Sequence, residues 1–139
     1  MGDLLLEVLS HHGQILKEDQ VEMVQLPSES GPVTILRNHA PYYTTLDIGT
    51  LTYRVNGREE QVALGTHGLA EVFMNHISVF CHTAERADAI DVERALKAEE
   101  KALALIEAGV SFSEGGLPPA IVLKKARLRI KLAKKHPER

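Results

Sequence analysis

The sequence predicts a two-part α+β chain, an all-β body to about Thr83 followed by a pair of helices, and three observations predict it. Short apolar or alternating runs fill the first 84 residues, punctuated by turn chemistry at the spacing of all-β domains. At Thr83 the texture changes: Ala84 to Ala108 is alanine-rich, contains no Gly or Pro, and is otherwise mostly Leu, Glu, Lys and Arg. The charge divides at the same place. Residues 1–84 hold ten acids and four bases (−6), residues 85–108 seven and four (−3), and residues 109–139 two and eight (+6), which sum to the net charge of −3. A sharply basic end on an acidic body is the informative feature.

The expected strands are Leu4 to Leu9, Val21 to Leu26, Val33 to Leu36, Leu51 to Val55, Gln61 to Leu64, Leu69 to Phe73 and Ile77 to Cys81. Asn56-Gly57 readily supplies the two positive φ angles of a type I′ turn and predicts a hairpin between the fourth and fifth runs. Asn75 tolerates left-handed backbone and predicts a second hairpin between the last two. Many strands this short imply two packed sheets or a closed barrel, because a single open sheet leaves one apolar face wet.

Helices are expected near residues 88–108 and 119–135. In the first, Val92, Leu96, Leu103 and Ile106 share a stripe with Ala95, Ala98, Ala102 and Leu105 beside it, a narrow face suited to close packing on another helix. Asp88 or Asp91 can cap its start and Gly109 its end, and Pro118-Pro119 places a proline in the first turn of the second helix. Residues 126–132 also alternate like a half-buried strand. Val122, Ala126, Ile130 and Ala133 share a helical face, and composition and the preceding loop favour helix. The result is an αα-hairpin with an acidic and a basic limb, held by weak exposed pairs and therefore able to open.

Composition excludes several classes. Hydrophobic residues at 44% and charged residues at 25% are ordinary for a folded soluble chain, so neither a disordered nor a fibrous class applies. No apolar run approaches the roughly 20 residues of a membrane-spanning helix, the start lacks a signal-peptide pattern, and Leu6 breaks a myristoylation motif. A cytoplasmic chain follows, brought to a membrane only by a partner. The lone Cys81 sits in an apolar run and reads as core. The seven histidines carry no metal-ligand spacing, and there is no nucleophile elbow or phosphate-cradling loop; Ser28-Glu29-Ser30-Gly31 reads as a turn. The basic tail has no aromatic residue for stacking and the body would repel phosphate, so nucleic acid is disfavoured.

Three stretches in order carry a resemblance: Gly31-Pro32-Val33-Thr34-Ile35-Leu36-Arg37-Asn38-His39-Ala40-Pro41; Thr83-Ala84-Glu85-Arg86-Ala87-Asp88; and Ile90-Asp91-Val92-Glu93-Arg94-Ala95. Together they resemble the epsilon subunit of bacterial F-type ATP synthases, over nearly the whole chain. Pro32, Thr34, Asn38 and the Thr66-His67-Gly68 stretch depart from the family pattern, with Thr34, Asn38 and His67 standing where glycine is usual. The resemblance implies a ten-stranded β-sandwich at 1–84, docking on the gamma subunit and c-ring, and a two-helix antiparallel hairpin at 85–139 that restrains ATP hydrolysis by the alpha/beta catalytic hexamer. It implies a non-catalytic coupling subunit, peripheral on the cytoplasmic face of the inner membrane and needing no cofactor.

By the same resemblance Glu29, Ser30, Arg37, Asn38 and His39 are the c-ring contacts. Glu85, Ile90, Asp91, Arg94 and Ala95, with Arg127, match positions of a regulatory ATP site, although Leu123 stands where a second arginine is expected. Physically, a helix start and an arginine fork suit phosphate, but Asp91 as a helix cap and Arg94 paired on its own surface is the competing reading. Lys124, Lys125, Arg127, Arg129, Lys131, Lys134 and Lys135 form an acid-free run expected to meet an acidic catalytic-subunit surface.

Overall fold

The computed structural model describes residues 4–112 and 116–134. Its contacts divide the chain into two units, with the division between Arg86 and Ala87.

The first unit contains ten strands: β1 (Leu4–Ser10), β2 (Gly13–Val21), β3 (Met23–Ser28), β4 (Gly31–Ile35), β5 (Tyr42–Leu46), β6 (Gly49–Val55), β7 (Arg58–Leu64), β8 (Gly68–Phe73), β9 (His76–Phe80) and β10 (Ala84–Arg86). Hydrogen bonding runs β10-β7-β6-β3-β5-β8-β9-β1-β2, with β4 attached to β3. The path turns a corner between β3 and β5, which share a single bridging pair, Ser28 with Leu46. Two five-stranded halves thus face each other, and both contribute to one core that includes Leu6, Val8, Leu26, Leu51, Ile77 and Val79. Ser28 is buried at the corner, where its hydroxyl pairs with Thr44 Oγ1 at 3.1 Å and accepts from the Ser30 N–H at 3.2 Å. A buried hydroxyl with two partners costs little.

The two expected hairpins form. Val55 pairs with Arg58 around Asn56 (φ 53°) and Gly57 (φ 75°), and Phe73 pairs with His76 around Met74 (φ 48°) and Asn75 (φ 64°). Both central residues have the positive φ that a type I′ turn requires. The Gly57 N–H also donates to Glu22 Oε1 at 3.0 Å, and this bond holds the Glu22 carboxyl below its ordinary pKa. Cys81 is buried, its thiol directed at the Thr83 carbonyl, and burial raises its pKa, so it is core as expected.

Several expectations are corrected. The run from Val21 to Leu26 is broken at Glu22, two residues after the left-handed Gln20 (φ 60°): Val21 ends β2 and a new strand begins at Met23. That strand continues through Pro27, which lies opposite Pro32 on the edge strand β4, where neither needs an N–H. The strand β10 extends the sheet to Arg86 by pairing with Val62, Ala63 and Leu64. Residues 88–91 are not α-helical; a single 3-10 turn at Ala87–Ala89 precedes the first helix.

In the second unit α1 spans Val92–Glu107 and α2 spans Pro119–Lys134. Asp91 caps α1, its carboxylate accepting from the Arg94 N–H at 3.1 Å. Gly109 (φ 72°) ends it: its N–H donates to the Ile106 carbonyl at 3.1 Å and that of Val110 to Leu105 at 3.0 Å, the two bonds of a Schellman motif. Only part of the expected face of α1 is buried. Ala95 and Ala102 are closed off, as is Ala126 on α2, whereas Val92, Leu96, Leu103 and Ile106 stay 37–47% exposed. Alanines let two helix backbones approach closely, and this close approach leaves the larger side chains outside the seam.

Candidate functional site

The loop residues expected to meet a ring fall into two groups. Glu29 and Ser30 form the exposed tip of the β3–β4 hairpin, where the Glu29 carboxylate accepts a hydrogen bond from the Thr45 hydroxyl and its N–H donates to the Thr45 carbonyl at 3.2 Å. Arg37, Asn38 and His39 lie in the β4–β5 connection. Asn38 has φ 64°, its N–H donates to Asn75 Oδ1 at 2.6 Å, and Asn75 Nδ2 donates back to Asn38 Oδ1 at 3.4 Å. His39 is half-buried, with Nδ1–H donating to the Ala40 carbonyl at 2.7 Å and its ring edge-on to Tyr42. Glu29, Asn38 and His39 are thus held by loop bonds and present a shaped polar surface. Pattern reading missed Asn75 as a member of this group; its position opposite residue 38 follows only from the long-range pairing of β5 with β8.

The outer face of the half built from β5, β8, β9 and β1 was also missed. Register places Leu5, His76 and Phe73 in one row, Glu7, Ser78, Glu71 and Tyr43 in the next, and Leu9, Phe80 and Leu69 in a third. Phe73, Phe80 and Tyr43 are 58%, 44% and 70% exposed. Glu7 of the middle row reaches His76 of the first, its Oε1 lying 2.7 Å from His76 Nε2. An apolar surface with a polar seam is the usual anatomy of a docking face.

Of the residues matched to a nucleotide site, Glu85 belongs to β10, whereas Ile90, Asp91, Arg94, Ala95 and Arg127 belong to the helical unit. Ile90 and Ala95 are fully buried, Asp91 is occupied as the cap, and Arg94 is exposed. Arg127 Nε donates to Glu99 Oε2 at 3.1 Å across the hairpin, a partnership the sequence pattern did not assign. A groove of about 450 Å³ opens there, lined by Glu99, Arg127, Ile130, Lys131 and Lys134. Lys124, Lys131 and Lys134 are exposed, and Lys125 and Arg129 are partly covered; Lys135 lies outside the described residues. Replacing Asp91 with alanine is expected to cost the hairpin about 1 kcal/mol, read as a lower unfolding temperature of the 222 nm circular dichroism signal.

His11 and His82 stack with ring centroids 4.2 Å apart, with His12 against His11. Among the described residues no group of three or more His, Cys, Asp or Glu side chains is arranged to hold a metal ion, and no helix is long and apolar enough to cross a membrane.

Comparison with known proteins agrees with this architecture. The family model described as the β-sandwich domain of the ATP synthase delta/epsilon chain matches residues 3–87. The ATP synthase epsilon chain of Desulfitobacterium hafniense is 41% identical over 101 residues, covering 73% of this chain and 75% of that one. That of Nitratidesulfovibrio vulgaris is 35% identical over 131 residues, covering 92% and 95%. Among solved structures, a chain of the Euglena gracilis mitochondrial ATP synthase OSCP/F1/c-ring assembly aligns with TM-score 0.64 at 20% identity over 99% of this chain and 81% of its own. One from the Tetrahymena thermophila mitochondrial ATP synthase central stalk and c-ring aligns with TM-score 0.55 at 11% identity over 98% of each. The structural likenesses, at those identities, speak for the fold; the family match across the sandwich, joined to the identity of the curated relatives, shows that the chain belongs to the ATP synthase epsilon chain family.

Proposed function

We propose that this chain is a non-catalytic central-stalk subunit of a proton-driven rotary ATP synthase, coupling rotation to synthesis through its sandwich and restraining ATP hydrolysis through its hairpin. The observation that carries the reading is the apolar outer face of a folded sandwich on which Tyr43, Phe73 and Phe80 are exposed and Leu5, Leu9 and Leu69 half-buried, which suits a permanent partner better than water. That partner is the gamma subunit. The polar loops at Glu29-Ser30 and Arg37 to His39 then meet the c-ring, and the side chains from Lys124 to Lys135 meet the catalytic hexamer. The chain is peripheral at the cytoplasmic face of the membrane through this assembly. Residues 1–84 dock and residues 85–139 regulate. Regulatory ATP belongs to this reading as a ligand latching the hairpin at Asp91, Arg94 and Arg127, with Asp91 a helix cap first and a ligand contact second.

Reconstituting the catalytic complex tests the proposal with two variants. Phe80→Glu is expected to lose incorporation, since a carboxylate would be buried against an apolar surface. A chain ending at Gly109 is expected to incorporate normally and raise ATP hydrolysis severalfold. Full incorporation of Phe80→Glu overturns the docking face; unchanged hydrolysis with the shortened chain overturns the regulatory role.

A further inference from the structure

The exposed stripe on α1 has the spacing of a coiled-coil seam. Val92, Leu96, Glu99, Leu103 and Ile106 follow one another at intervals of four, three, four and three residues, so one continuous line of the helix is apolar except at Glu99. On its outer side stand Glu93, Glu100 and Glu107, seven residues apart and all exposed. On its inner side lies the groove to α2, where Ile130 continues the apolar surface and Arg127, Lys131 and Lys134 form the far edge. One face of the hairpin therefore reads, from side to side, acidic edge, apolar stripe, groove, basic edge.

Such a face is complementary to itself. We infer that two copies of the free chain associate through it, forming a four-helix bundle about a two-fold axis that runs along the hairpin. Turning a copy about this axis sets α1 over α2 of the other copy, so each acidic edge meets a basic edge and each apolar stripe closes over the groove and Ile130 of the other copy. The alternative two-fold, across the hairpin, would set α1 over α1 and oppose glutamates to glutamates; charge selects the first arrangement. Burial of the apolar side chains drives association, since exposed ion pairs contribute little in themselves.

The Glu99–Arg127 bond also fixes the levels. Counting along antiparallel helices from that pair places Lys131 level with Ala95 and Lys134 level with Val92, so Glu93 meets Lys131 and Lys134 of the second copy. Association would cover Lys131 and Lys134, so a paired chain would be unable to offer them to any other partner. The inference goes beyond the proposed function and does not rest on it, because it concerns the free chain alone.

Sedimentation equilibrium on the purified full chain between about 1 µM and 1 mM tests it. The expected mass rises from one chain toward two. Two charge-edge variants identify the face: Glu93→Lys with Glu100→Lys makes both edges basic, and Lys131→Glu with Lys134→Glu makes both acidic. Each is expected to remain a single chain at 1 mM, and an equimolar mixture of the two is expected to recover a 1:1 pair. All four positions are exposed, and helicity at 222 nm verifies that both variants fold. A wild-type chain that stays single throughout overturns the inference and leaves the stripe to a foreign helix. Variants that pair as well as wild type, or a mixture that fails to pair, overturn it as well.

Discussion

Replacing Ile77 with alanine is expected to destabilise the sandwich by about 3–4 kcal/mol. Ile77 is fully buried on β9, level with Leu6 on β1 and Val72 on β8, and both neighbours are themselves closed to solvent. Truncation removes three carbons from a site bounded by fixed strands on two sides, so the cavity cannot collapse. Small domains are stabilised by only about 5–15 kcal/mol, so the variant forfeits a large share. The measurement is a urea midpoint followed by tyrosine fluorescence. Tyr42, Tyr43 and Tyr53 all lie in the sandwich and the chain has no tryptophan, so this signal reports the first unit alone. Helicity at 222 nm follows the hairpin separately, which matters because a chain of two units need not unfold in one step. A midpoint shift corresponding to less than about 1 kcal/mol would show that the core tolerates the void.

Gly68→Ala is expected to cost about 2–3 kcal/mol for the opposite reason, excess volume. Gly68 opens β8 opposite Leu46, and a Cβ added there would sit 2.8 Å from Leu46 Cβ, far inside contact distance. A β-carbon cannot rotate away, so relief requires the two strands to part. The double variant gives the diagnostic result. Leu46→Ala keeps the offending β-carbon, so it is expected to add its own penalty to that of Gly68→Ala without rescue, the coupling staying within about 0.5 kcal/mol. Strong rescue by Leu46→Ala would show that the outer carbons of the leucine, 3.5 Å away, are the real obstruction.

Local chemistry made some of this structure legible in advance. Asn56-Gly57 and Asn75 announced their hairpins because a turn residue acts through its own backbone. The caps at Asp91 and Gly109 were readable for the same reason. Three strands were silent. β2 carries Lys17, Glu18, Asp19 and Gln20 and lies at the end of the hydrogen-bonded path, where polar side chains face water. β5 reads Tyr-Tyr-Thr-Thr-Leu without alternation, and β10 has three residues. β2 is a strand by its hairpin with β1, whereas β5 and β10 become strands only by pairing with the distant β8 and β7. Two of the motif departures resolve physically too: Asn38 (φ 64°) and His67 (φ 59°) stand where the family resemblance leads one to expect glycine, and both keep left-handed backbone, whereas Thr34 lies within β4. On α1 the amphipathic pattern was read correctly and its use was not. A stripe of Val, Leu and Ile beside a stripe of Ala leaves open which one faces the neighbouring helix, and here it is the alanines. Of the candidate site, the loop at Asn38 and the cap at Asp91 were visible in the sequence, whereas Asn75 and Glu99 required knowing which distant elements lie opposite each other.

One pairing described above governs how the chain must be made. β1 runs parallel to β9, from Leu5 beside His76 to Leu9 beside Phe80, so β1 borders a strand encoded some seventy residues later. Until Phe80 has emerged, the apolar residues of β1 have a neighbour on one side only, the adjoining β2. Synthesis therefore leaves an open strand margin exposed from the emergence of β1 until that of β9, and a helper that shields nascent chains would find its binding site there.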